Sequence, residues 1–138
     1  MAFILFLHAL GAAAIGFYLL LPFVAARLRK LAPAAQSGFA GSLQSLNRFG
    51  QWLLVVQFLT GGYLISQYEL SVLWMVVVIV LLIALGAVSG MLGGPLKRIA
   101  GASGGAAESD ISRTGAFSAI AAALVFVLLI LMYFPEIL

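Results

Sequence analysis

Residues 72–94, VLWMVVVIVLLIALGAVSGMLGG, contain no ionisable side chain. About 20 consecutive apolar residues are enough for a helix to cross a hydrocarbon core ~30 Å thick. A helix that is apolar on every face has no solvated side to offer a soluble fold, so this stretch predicts a membrane span. Its second half places Gly86, Gly90 and Gly94 at every fourth position. That spacing predicts a flat face where another helix approaches closely, either within the chain or from a second copy.

The rest of the 138-residue chain agrees, with 64% hydrophobic residues, 8% charged residues and a mean hydropathy of +1.22. Soluble domains carry about 25% charged residues. The length predicts one membrane domain over 1–138. Cysteine is absent, which excludes disulfides, thiolate metal sites and cysteine nucleophiles. The net charge of +3 does not point to nucleic acid, because in a membrane protein the placement of charge outweighs its sum.

Four spans are predicted, at about 3–26, 49–66, 72–92 and 115–134. The first is read as a span and not as a signal peptide. No basic residue precedes it, and Arg27, Arg29 and Lys30 follow it. Pro22 is expected to kink its last turns. Pro33 is expected to open a helical extension, about 34–48, that runs on into the second span. The segment 93–113, GGPLKRIAGASGGAAESDISR, reads as a flexible loop, with Asp110 or Ser112 capping the last helix.

All seven basic residues fall in the first and third connections, and the second holds only Glu69. The positive-inside rule then puts both long loops in the cytoplasm and both termini outside. The predicted fold is all-α, an integral membrane four-helix bundle of the cell (inner or plasma) membrane, N-out and C-out. Tyr63, Tyr68, Trp74, Tyr133 and Phe134 are expected to form an aromatic belt at the outer interface. Depth sorts the small residues: Ala12, Gly16, Gly86, Gly90, Ala116, Ala119 and Ala123 all fall toward the cytoplasmic side. The helices must therefore splay outward. Either a cavity opens there or bulky side chains fill the wider half, and the close packing of protein interiors favours filling.

His8 is the single histidine, and Met75 and Met132 fall at similar depth on the third and fourth spans. Together they form a candidate set for copper(I) or haem, against the blander reading of an interfacial histidine. Gln57 lies near the midplane with Thr60 and Gly61 on the same face, a candidate polar pore or cavity lining or simply an interhelical hydrogen bond. Asn47, Arg48 and Gln51 read as a polar patch against lipid headgroups. No Asp, Glu, Lys or Arg lies well inside a span, and no paired carboxylate or Ser-His-Asp set exists. The chain thus reads as non-enzymatic: an accessory or homo-oligomeric bundle with lipid and a membrane-protein partner around it. A haem- or copper-associated protein using His8, and a small-molecule or lipid transporter with an outward cavity, are the alternatives. Gly16, Gly86, Gly90 and Gly94 are the candidate helix-packing residues.

The opening FLHALGAAAIGFYLLLPF and the stretch RFGQWLLVVQFLTGGYLIS before the Trp74 span resemble helices of small four-span bacterial membrane proteins. These include the CopD-like copper-resistance proteins, the HemJ-type protoporphyrinogen oxidases and related uncharacterised proteins. The resemblance implies a four-helix fold and, at His8 alone, a role toward haem or copper. The short Trp- and Gly-containing run after the family's histidine is missing here. So are the second histidine and the intramembrane lysine of its haem-using members.

Overall fold

The computed structural model describes residues 1–138 and is entirely helical outside short turns. Helix α1 covers Ala2–Ile15, a 3-10 turn covers Gly16–Leu19, and α2 covers Leu21–Ala25. With a second 3-10 turn at Leu28–Lys30 these pieces form one rod, Ala2–Lys30. Helices α3 (Pro33–Ile65), α4 (Val72–Ala100) and α5 (Glu108–Tyr133) follow. Three of the four rods, Ala2–Lys30, α4 and α5, are long and apolar enough to cross a membrane. The remaining rod, α3, has 33 residues and is about 50 Å long at 1.5 Å per residue. Gln36, Gln44, Asn47, Arg48, Gln51 and Gln57 dilute its hydropathy.

Local chemistry explains where each rod starts and bends. Pro33 stands at the first turn of α3, where its missing N–H costs nothing. Ser71 caps α4 by accepting from the Trp74 amide at 3.0 Å. In the first rod the change to 3-10 geometry at Gly16–Leu19 lies just ahead of Pro22, which has no N–H for the Tyr18 carbonyl. The 93–113 loop is shorter than its composition suggests. Helix α4 continues through Pro95 to Ala100, α5 starts at Glu108, and only 101–107 lies between them. Neither Asp110 nor Ser112 caps α5, because the helix begins upstream of both; Glu108 and Asp110 instead face the positive end of its dipole.

The rods are antiparallel in sequence. Helix α3 packs between α1 and α4, and α5 packs on α4. The first rod closes the ring on α5 mainly through its lower half, the Gly16–Leu19 turn and α2. At that loop end Gln36 is buried and serves as a clamp. Its Nε2 donates to the Leu28 carbonyl at 2.8 Å, and its Oε1 accepts from the Ala106 amide at 3.0 Å. Ion pairs Arg29–Glu108 and Arg98–Asp110, the latter at 2.8 Å, tie both neighbouring rods to the start of α5.

Of the two partners expected for the glycine face, a helix of the same chain and a second copy, the first does not cover it. An added Cβ at Gly16, Gly86 or Gly90 would meet nothing within 4 Å, and at Gly94 it would meet only the Arg98 guanidinium of its own helix at 3.5 Å. Helix α4 turns Leu85, Ser89, Leu92 and Leu96 inward. Gly86 and Gly90 lie about 100° round the axis from Leu85 and Ser89. The close approaches occur at other glycines, Gly11, Gly50 and Gly61, where α1 and the turn after it meet α3. Trp74 also leaves the expected aromatic belt: it is buried, and its Nε1 donates to the Leu131 carbonyl at 2.8 Å, fixing α4 to α5. Tyr63, Tyr68, Tyr133 and Phe134 remain on the surface.

Candidate ligand cavity

The wider half of the bundle is not filled. A cavity of about 390 Å³ lies among all four rods, at the end where the termini and the α3–α4 turn meet. Its walls are mostly aliphatic, with Ile15, Leu54, Leu85 and Val125 deepest along the rods and exposed Leu5, Tyr68 and Met132 near the mouth. Its origin is geometric. The Gly16–Leu19 turn and α2 pack on α5 below, while α1 packs chiefly on α3.

One polar strip interrupts the apolar wall, where α1 meets α3. Gln57 Nε2 donates to the His8 carbonyl at 2.8 Å. Gly11 makes room for that amide, since a Cβ there would stand 2.1 Å from Gln57 Nε2. His8 Nδ1 lies 2.8 Å from Thr60 Oγ1, and Thr60 Oγ1 lies 2.7 Å from the Val56 carbonyl. Gly61 seats the imidazole, with Cε1 3.2 Å from where a Cβ would be. His8 and Gln57 both line the cavity, whereas Thr60 stands behind them. Gln57 and Thr60 are thus brought together with His8, and Gln57 makes the interhelical bond the sequence allowed for.

The candidate metal set is only partly assembled. Met132 shares the cavity wall with His8; Met75 does not line it and is packed against the core. No cluster of three His, Cys, Asp or Glu side chains exists.

Beneath the cavity lies a polar layer that hydropathy hid. Tyr18, fully buried, donates to Asn47 Oδ1 at 2.8 Å, and Asn47 Nδ2 donates to the Ser89 carbonyl at 2.8 Å. Ser89 Oγ returns to the Gly86 carbonyl at 2.9 Å. Asn47 is 1% exposed, so it is no headgroup contact, unlike its neighbour Arg48, which faces outward. Gln51 borders a shallow lateral groove between α3 and α4, beside Gly86. On α5 the enclosed Ser118 hydroxyl has no hydrogen-bond partner. The one available sequence signal was a tyrosine, an asparagine and a serine placed at similar distances from the same end of three antiparallel rods.

The fold and cavity define an all-helical protein with three helices long and apolar enough to cross a membrane and an apolar cavity between its rods. No family model, curated protein or solved structure matches the chain.

Proposed function

We propose that the chain is a non-enzymatic, multi-pass protein of the cell membrane that holds a small lipophilic molecule between its rods. The observation that carries this reading is the apolar cavity of about 390 Å³ with a single polar strip at His8 and Gln57. Small-molecule sites typically occupy roughly 300–1,000 Å³, with a few placed polar groups in apolar walls. In this reading all four rods cross the bilayer, with both termini and the cavity mouth on the outer side. Exposed Phe49, Trp52, Val55, Phe58 and Leu59 support the crossing of α3, because only hydrocarbon solvates such a face cheaply. The seven-to-none split of basic residues between connections supports the orientation.

Purification from the host membrane in mild detergent, followed by mass spectrometry of the organic extract, tests this. Wild type is expected to retain one lipophile at near-equal molar ratio. Ala12→Trp, which fills the cavity from α1, is expected to lose it. If both carry only bulk phospholipid in the same proportion, the reading is wrong.

A second reading, His8 as a ligand for haem or copper, draws support from its Nε2, which makes no hydrogen bond. Met132 is the one methionine of the candidate set on the same cavity wall. An absorption spectrum and metal analysis distinguish it: a haem band or stoichiometric copper that disappears in His8→Ala would favour it over the lipophile. An accessory or homo-oligomeric role keeps one support, the open Gly86 and Gly90 face, and cross-linking in native membranes tests that.

A further inference from the structure

We infer that the polar strip of the cavity is an acceptor-only surface, and that its ligand is a lipophile headed by a hydrogen-bond donor, an alcohol or a phenol. This deepens the ligand-holding reading and rests on it. The inference follows from where the protons must sit. Backbone carbonyls only accept. Gln57 faces the His8 carbonyl at 2.8 Å, so the amide must present its NH2 there. Its Oε1 is left with no protein donor and is not sealed off.

The histidine follows the same logic. Thr60 has one hydroxyl proton, and its Oγ1 stands 2.7 Å from the Val56 carbonyl. That contact holds two acceptors unless the proton lies between them, so Thr60 donates to Val56. It must then accept from His8, whose Nδ1 lies 2.8 Å away. The imidazole is therefore the Nδ1–H form and keeps a lone pair on Nε2. A second proton on the ring would place an unpaired charge in a cavity whose walls contain no carboxylate. Nε2 has no partner in the protein and is not sealed off either. His8 and Gln57 both line the cavity, so Nε2 and Oε1 are two acceptors available to a ligand there. An alcohol or phenol, with its single O–H, satisfies one of the two, whereas an ether or a ketone of the same shape leaves both unpaired.

Thr60 is the positioning residue, since it sets the tautomer without lining the cavity. The test uses the full chain in nanodiscs, with para-pentylphenol and its methyl ether as probes and uptake by empty nanodiscs subtracted. Wild type is expected to prefer the phenol by about tenfold or more, the factor for one buried acceptor left unpaired. Thr60→Val frees the ring to move its proton, and the preference is expected to fall toward parity. Nitrogen NMR of labelled histidine reads the tautomer directly, because the chain has one histidine. A bare Nε2 is expected in wild type, and a protonated Nε2 with a bare Nδ1 overturns the inference. Equal binding of the two probes also overturns it while leaving the cavity reading intact. If neither probe binds, the ligand-holding reading fails and this inference fails with it.

Discussion

The hydroxyl of Tyr18 donates to Asn47 Oδ1 at 2.8 Å, across 29 residues of sequence. Asn47 passes the link to α4 through the Ser89 carbonyl, so one amide joins three rods. Asn47→Leu is expected to take away the amide acceptor of the Tyr18 hydroxyl and the donor to the Ser89 carbonyl, at a cost of about 1–2 kcal/mol given the partners available in the membrane-embedded unfolded state. Thermal unfolding in detergent checks this. Tyr18→Phe leaves the buried Asn47 Oδ1 without its donor but keeps the Asn47 bond to the Ser89 carbonyl, so one link is lost where Asn47→Leu loses two, and it should cost less.

Glycine substitutions should sort by contact and not by spacing. A Cβ at Gly50 would stand 2.8 Å from the Tyr18 hydroxyl and 3.0 Å from the Phe17 ring. Those two rings are stacked with centroids 4.2 Å apart and cannot swing aside independently. Gly50→Ala should therefore lower the melting temperature. Gly86→Ala and Gly90→Ala meet open space and should match or exceed wild type, since alanine gains up to about 1 kcal/mol over glycine inside a helix. A loss of stability in the latter pair, together with a change in oligomer mass, would mean that a second chain covers that face.

The clamp at the loop end gives a local prediction. Gln36→Ala leaves the Leu28 carbonyl and the Ala106 amide without their side-chain partner. Hydrogen exchange at Ala106 should speed up and protease should nick 101–107 faster, while the cavity-end amides keep their protection. Uniform protection in the variant would show that the ion pairs alone hold the loop.

Orientation can be read on a chain free of native cysteine. A cysteine at position 69 should react with an impermeant thiol reagent from outside, and one at position 103 should not. The opposite pattern would invert the bundle.

The apolar runs made the helices legible, because hydrocarbon tolerates little else. Proline placement fixed the start of α3, where the ring costs nothing. The cavity was less legible: the drift from small to bulky side chains along α4 and α5 left an open and a filled wider half as alternatives, with filling favoured, and the cavity among the rods is the outcome. Which helical face turns inward was not legible. In a soluble bundle, polarity marks the outside; here Phe23, Trp52 and Ile83 are outside and Asn47, Ser89 and Ser118 are inside. Gly86 and Gly90 show the same limit: regular spacing locates a face but says nothing about what it meets, and within the chain it meets nothing. The tie between His8 and Thr60 was invisible for another reason, since it depends on pairing between α1 and α3 that no local pattern encodes.

The polar layer under the cavity also bears on the kind of traffic the proposed ligand site would allow. Tyr18, Asn47 and Ser89 cross-brace the first rod, α3 and α4 below the cavity, and none of them lines it. On the ligand-holding proposal, a guest would enter a cul-de-sac and leave by the door it came through. Such a vessel suits storage, sensing or hand-off on one side of the bilayer. Passage to the other side would first require Asn47 to let go of both its neighbours.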